Sequence, residues 1–177
     1  MLKLSSDQAL EYLRRSYASV DGLWFMKVEE DAGFDKALDT DEKVWRVMPK
    51  IQARAMKSFL GANGERPGLE ALRECFEAKL ALDGFVYGIT GDMESFTVTI
   101  IQCPWYDKLV KSKRAHLAEK IGNRICTAEY SGWATEFECE FAFKNTGKIC
   151  EGCKNCQLVF RFNPVSGSLR YGRSLRS

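Results

Sequence analysis

Apolar residues recur at helical spacing through the first half of the chain. Leu10, Leu13 and Tyr17 follow good N-cap residues at 5–7 and predict a first helix. A second start is predicted at 19–21, in an aromatic segment that Gly33 closes.

Two further segments, 41–61 and 69–84, carry the same periodicity and end at glycines. Pro49 lies inside the first of them. An interior proline removes a backbone hydrogen bond and clashes with the preceding turn, so we expect a bend or two helices that meet there.

Beyond residue 84 the period of the pattern changes from 3.6 to 2. Alternating β-branched and aromatic residues predict a hairpin over 85–101 and strands near 138–144 and 156–162. A polar, basic link over 108–114 leads into a helical segment, 115–135, which Gly122 and Asn123 are expected to divide. The predicted fold class is α+β, with a helical N-terminal half packed on an antiparallel sheet of about four strands.

The chain of 177 residues has the length of one domain. We expect a single α+β domain over 1–163 and a basic, loosely ordered tail over 164–177. The 26 Lys and Arg residues nearly balance the 24 Asp and Glu residues, which gives no electrostatic case for nucleic acid or for an anionic membrane. No signal-like or membrane-spanning apolar run is present, so we expect a cytoplasmic protein with reduced cysteines.

Candidate chemistry centres on three thiols at two-residue gaps: Cys150, Cys153 and Cys156. A Cys-x-x-Cys turn brings two thiolates to one metal ion, and structural zinc takes four such ligands, for which Cys126 is the distant partner. An iron–sulfur cluster is the alternative, with Cys103, Cys126 or Cys139 as fourth ligand. A redox dithiol and simple core packing are the weaker readings.

A helical face in the second half carries unusual chemistry. Cys126, Glu129, Tyr130 and Trp133 fall at i, i+3, i+4 and i+7, so a thiol, a carboxylate, a phenol and an indole share one face. The two aromatic residues of this face and two further tryptophans are candidates for the lining of a ligand pocket. These four residues are Trp24, Trp105, Tyr130 and Trp133.

The second half also resembles known families. Cys103-Pro104-Trp105, Cys126 with Glu129, and the run from Gly147 to Cys156 are similar to a group of small archaeal and bacterial proteins related to the L-2-amino-thiazoline-4-carboxylic acid hydrolase family. A looser resemblance over 126–162 is to the vinyl-4-reductase-type domains. That likeness implies a zinc ion held beneath a pocket for a small organic ligand, and it allows a homodimer.

One departure changes the implied ligand set. Where the vinyl-4-reductase-type pattern has a Glu three residues before its second cysteine, this chain has Gly147, and Cys153 could supply the missing ligand. The expected zinc site is therefore Cys126, Cys150, Cys153 and Cys156.

Three functions follow as expectations. The first is a small-molecule-binding domain whose closed zinc site is structural. The second is a metal- or cysteine-dependent hydrolase of a small ring or amide. In it, Glu129 is the general base for water at an open metal position, and Cys103 is a candidate nucleophile activated by His116, which is the single histidine. An iron–sulfur redox protein is the third.

Overall fold

A computed structural model describes residues 2–60, 68–144 and 147–162. These residues form a four-stranded antiparallel sheet with helices on it, as the α+β prediction requires. The helices are α1 (Ser6–Ala32), α2 (Phe34–Trp45), α3 (Met48–Phe59), α4 (Gly68–Asp83), α5 (Pro104–Lys111) and α6 (Ala118–Glu136). The strands are β1 (Val86–Gly91), β2 (Ser95–Gln102), β3 (Cys139–Phe143) and β4 (Cys156–Phe162).

Helix α1 is one helix of 27 residues, so the second start predicted at 19–21 is wrong. A capping box begins the helix: the Gln8 amide N–H donates to the Ser5 hydroxyl, and the Ser5 N–H donates to the Gln8 side chain. Ser19 and Asp21 could cap a helix only if the backbone left helical geometry there, and it does not. Gly33, with φ of 85°, ends α1 as expected.

The helix break at Pro49 is confirmed. Helices α2 and α3 meet there, and Pro49 lies in the first turn of α3, where its missing N–H costs no intrahelical hydrogen bond. The two helices can therefore turn sharply without losing backbone pairing.

The sheet order is β1-β2-β4-β3, so the last of the described strands lies in the centre. Asp92 closes the hairpin between β1 and β2 by accepting from the N–H groups of Glu94 and Ser95. Alternate residues of β2 and β4 face the helices, and Val98, Leu158 and Phe160 are fully buried there. Helices α3, α4 and α6 cover this face.

Two expectations about the region between hairpin and β3 are wrong. Residues 104–111 form α5, because Pro104 suits the first helical position and Cys103 precedes it in extended geometry. Helix α6 runs through Gly122 and Asn123 without interruption. Cys139, named above as a possible cluster ligand, is buried in the core at the start of β3 and does not line the cavity described below.

One other expectation, the loosely ordered tail at 164–177, lies outside the described residues. In the ranges that the structure describes, no helix is both long enough and apolar enough to cross a membrane.

Candidate functional site

A cavity of about 480 Å³ lies between the helices and the sheet. Side chains from α1, α2, α5 and α6, from β2, and from the chain around 143–156 form its walls. Most of these side chains are apolar or aromatic, including Phe25, Trp45, Ile100, Trp105 and Ile125. The volume is that of a site for a small organic molecule.

Four thiols line this cavity: those of Cys103, Cys126, Cys150 and Cys156. They arrive from four places in the fold. Cys103 is the N-cap residue of α5, Cys126 lies on α6, Cys150 lies in a short 3₁₀ helix (Ile149–Glu151), and Cys156 begins β4.

Gly122 lets Cys150 approach α6. A Cβ atom at Gly122 would lie 2.7 Å from the Cys150 Sγ and 3.9 Å from the Cys126 Sγ. Any larger residue would therefore push Cys150 away from the helix. The absence of a side chain at Gly122 therefore leaves room for the Cys150 sulfur near that of Cys126.

Cys153 packs beside Gly147 and does not line the cavity. Its Sγ lies against Gly147, whose φ is +95° and where a Cβ would come within 2.1 Å of that sulfur. Cys153 is not among the residues that line the cavity. Three of the four cysteines expected as zinc ligands line the cavity, namely Cys126, Cys150 and Cys156. The fourth thiol in the cavity wall is that of Cys103 and not that of Cys153.

Burial keeps these thiols protonated. It raises the pKa of Cys103 and of Cys150 to about 11 and that of Cys126 well above its ordinary value. The Glu129 carboxylate and the neighbouring thiols add to the effect at Cys126. The N–H of Ile149 donates to the Cys156 sulfur at 3.2 Å and partly offsets the rise in pKa that burial causes there.

The thiols do not present a ready-made metal site. Among residues 2–60, 68–144 and 147–162, no three His, Cys, Asp or Glu side chains are arranged to hold a metal ion. A tetrahedral zinc site needs four donors at about 2.3 Å from the metal. The set Cys126, Cys150, Cys153 and Cys156 does not fit zinc in this arrangement, and zinc at these cysteines stays a prediction.

A buried ion pair stands beside the thiols. The Lys79 Nζ of α4 contacts the Glu129 Oε1 at 2.5 Å and the Asp83 Oδ2 at 3.2 Å. Burial alone lowers the pKa of Lys79, but the two carboxylates outweigh it and raise that pKa, so the lysine is charged. Burial raises the pKa of Glu129, and Lys79 only partly offsets the rise. Glu129 thus lines the cavity as a paired carboxyl group.

Two more carboxyl groups border the cavity near Trp45. The Trp45 Nε1 donates to the Asp21 Oδ1 at 3.3 Å. Burial and the charge of Asp21 raise the pKa of Asp41 to about 7, and burial raises that of Asp21. The Asp41 carboxyl group is therefore only partly ionised at neutral pH.

The predicted aromatic lining is divided between three locations. Trp105 and Tyr130 line the cavity. Trp133 is fully buried in the core, because its ring packs between Phe76 and Phe137. Trp24 is 69% exposed on α1, because the opposite face of that helix is the one that packs inward.

His116 is separated from its proposed partner. It is exposed in the short 3₁₀ helix Ala115–Leu117 and is not among the cavity residues, whereas Cys103 is. The structure therefore does not bring together the nucleophile and activator expected for a cysteine hydrolase.

Residues 2–144 match the sequence profile of DUF6125, a family of unknown function. The chain belongs to this family. The DUF6125 match includes α1 to β3, with Cys103, Cys126 and Glu129, and it ends before Cys150. The comparison with curated proteins gives no match.

Sequence reasoning missed three of the charged groups at this site of the DUF6125 chain, namely Lys79, Asp21 and Asp41. A signal was present for two of them. Lys79 stands at i+3 from Phe76, on a stripe that is otherwise apolar, and Asp41 stands four residues before Trp45. Charged residues on a buried stripe mark a paired or functional group.

Proposed function

We propose that this protein binds a small, uncharged and largely apolar organic molecule in the cavity. The observation that carries the proposal is a partly open cavity of about 480 Å³ with mostly apolar walls. Spaces of this size are uncommon in close-packed protein interiors.

The chemistry of the walls supports an uncharged ligand. Burial raises the pKa of the four cavity thiols and of Tyr130, so all of these groups are neutral. The Glu129 carboxyl group is paired with Lys79. Charged side chains such as Lys108, Asp21 and Asp41 also line the cavity, but a charged group placed beside the neutral thiols would lose its hydration there.

The edge of Trp105 supports recognition of a planar ring. Tyr17 and Trp45 both contact this indole edge to face, with ring centroids 6.0 and 5.8 Å away. These contacts hold the indole in place at low entropic cost, and a ring in the cavity can pack against it.

Hydrolysis by Cys103 gains no such support. A nucleophilic cysteine acts as the thiolate, and a pKa of about 11 leaves Cys103 protonated at neutral pH. The hydrolase function stays a prediction.

Ligand binding is tested by titration with neutral aromatic probes such as indole and naphthalene, followed by tryptophan fluorescence and thermal unfolding. We expect saturable binding and a raised Tm, since a ligand at 100 times its Kd adds about 2.7 kcal/mol to the free energy of unfolding. Ile121→Trp fills the cavity and should abolish binding. Ile101→Trp, on an exposed site of β2, is the matched control and should bind as the wild type does.

Two results would contradict the proposal: no saturable binding by any probe, or equal binding by both variants. The metal prediction is checked separately by elemental analysis of protein purified without oxygen. Zinc or iron that is lost in Cys126→Ser and kept in Cys75→Ser, a change in the core of α4, would support a metal at the cavity thiols.

A further inference from the structure

Two polar side chains of α6 reach the cavity although both are more than nine-tenths buried. Glu129 and Tyr130 are each 4% exposed, and both belong to the cavity wall. Buried polar atoms are paired in most proteins, because an unpaired one loses its hydration without compensation. The atoms of these two side chains that lack a partner therefore indicate what the cavity can hold.

The carboxyl group of Glu129 is paired on one side only. The Lys79 Nζ lies 2.5 Å from its Oε1, and its Oε2 receives no hydrogen bond from any described residue. The side-chain atoms that are fully buried without a partner in the described part of the chain are Gln52 Oε1, Trp133 Nε1 and Gln157 Oε1. The Glu129 Oε2 is not one of them, so it keeps accessible surface. Glu129 is otherwise buried, and this surface faces the cavity that it lines.

The hydroxyl group of Tyr130 is open in the same way. The ring packs edge to face against Phe76, Phe141 and Phe143. Within the ranges that the structure describes, its hydroxyl has no hydrogen-bond partner, and it is not one of the fully buried atoms without a partner. A phenolic hydroxyl both donates and accepts. It therefore suits several kinds of ligand group, whereas the free oxygen of Glu129 is selective.

The charges at Glu129 decide which ligand group suits that oxygen. An ionised carboxylate only accepts hydrogen bonds, and contact with the charged Lys79 favours the ionised form. A ligand must therefore offer an N–H or O–H group. A cationic group would place a second positive charge beside Lys79, where burial makes repulsion strong. A neutral donor leaves the Lys79–Glu129 pair intact.

The carboxylate lies near the indole of Trp105. Burial and the charge of Glu129 both raise the pKa of Tyr17, so the two side chains are close to each other. Tyr17 contacts Trp105 edge to face, with ring centroids 6.0 Å apart. Trp105 and Glu129 line the same cavity. A planar ligand that packs on Trp105 can therefore extend toward Glu129.

We propose that the ligand is a neutral aromatic molecule with an N–H or O–H donor, and that this donor binds the Oε2 of Glu129. The inference rests on the proposed function, because it names the polar group that a ligand of the same cavity carries. A hydrogen bond to a charged acceptor changes affinity by about tenfold or more. An aromatic hydrocarbon of the same size leaves the oxygen without a partner.

Matched pairs of probes test the inference. Indole and indene have the same size and shape, and of the two only indole carries an N–H donor. In the same way, 2-naphthol differs from naphthalene by one O–H group. Equilibrium dialysis gives the Kd of each probe. A cavity without an acceptor would favour the hydrocarbon of each pair, because burial of an unpaired donor is costly. We expect the wild type to bind each donor probe at least as tightly as its hydrocarbon.

Removal of the acceptor is the second arm of the test. Lys79→Met with Glu129→Leu removes both members of the ion pair and so leaves no unpaired charge. The ratio of indole affinity to indene affinity should fall by about tenfold or more in this variant. Lys27→Met with Glu30→Leu is the matched control, because it makes the same replacements in an exposed ion pair of α1 outside the cavity wall. This control should keep the wild-type ratio. Circular dichroism confirms that each variant is folded.

The possible outcomes separate this inference from the proposed function. Absence of binding by all four probes would overturn both. Binding with an indole-to-indene ratio that Lys79→Met with Glu129→Leu leaves unchanged would overturn only the role of Glu129. A wild type that binds each hydrocarbon more tightly than its donor analogue would also overturn only that role, and this arm needs no variant to fold.

Discussion

Replacing Lys79 by Met is expected to be among the most damaging single changes in this protein. Lys79 and Glu129 are 3% and 4% exposed, and their charged atoms lie 2.5 Å apart. Removal of one partner from a buried pair leaves an uncompensated charge and costs about 3–5 kcal/mol. A domain of this size has a total stability of roughly 5–15 kcal/mol, so the variant loses a large share of it.

The loss depends on pH in a defined direction. Without Lys79, burial raises the pKa of Glu129 further above its ordinary value of 4.5. Above about pH 4.5, Glu129 therefore stays protonated in the folded variant but loses its proton in the unfolded chain. The loss of stability caused by Lys79→Met is therefore smallest at about pH 4.5 and below, and it grows as the pH rises above that value.

Urea unfolding at 25 °C, repeated across the acid to neutral range, measures this effect. Lys111→Met, at an exposed site of α5, is the control and should change stability by less than about 0.5 kcal/mol. The double variant Lys79→Met with Glu129→Leu should recover most of the loss, because an apolar pair of similar size replaces a buried ion pair at little cost. A loss below about 1 kcal/mol at neutral pH, or no recovery in the double variant, would refute the reasoning.

Three further predictions concern the cavity. Gly122→Ala should destabilise the fold by about 1–3 kcal/mol, because its Cβ meets the Cys150 sulfur, and this outweighs the gain of about 1 kcal/mol in helix propensity. Urea unfolding should show that adding Cys150→Ala restores stability. A single variant as stable as the wild type would contradict the contact. Asp41→Asn should become more stable relative to the wild type as the pH rises from about 4 to 7, because the raised pKa of Asp41 makes its ionised form unfavourable in the folded state. Thermal unfolding at a series of pH values measures this difference. A difference in Tm that does not change with pH would contradict the prediction. Cys103 and Cys126 should react slowly with iodoacetamide at pH 7 in the folded protein and quickly after unfolding, and mass mapping that finds equal rates would show that these thiols are not held protonated.

The layers of the fold could be predicted because each segment has a consistent hydrophobic period. The period is helical before residue 85, changes to 2 over the hairpin, returns to 3.6 over 115–135, and changes to 2 again in the last two strands. The boundaries inside the helical half were harder. Capping residues occur at 19–21, but a capping side chain acts only where the backbone already leaves the helix, and packing of α1 along α2 keeps it helical.

The thiol cluster could be predicted only in part. Sequence spacing brings Cys150, Cys153 and Cys156 near one another along the chain, but the direction of each thiol depends on the turn between them. Gly152, with φ of 86°, reverses the chain after the 3₁₀ helix, and Cys153 then packs on Gly147. Cys103 reaches the cavity through the end of β2, which is a tertiary effect that spacing does not encode.

The position of β4 has a consequence for how the protein is made. This strand lies between β2 and β3, and it is the last described element to leave the ribosome. Until it arrives, β2 and β3 cannot be bridged, and the faces later covered by Leu158 and Phe160 remain open to water. A nascent chain that ends before residue 156 therefore exposes two unpaired strand edges beside uncovered aromatic side chains, which is a state prone to aggregation. The described sheet is completed only when β4 inserts, and Cys156, the first residue of that strand, enters the cavity wall with it.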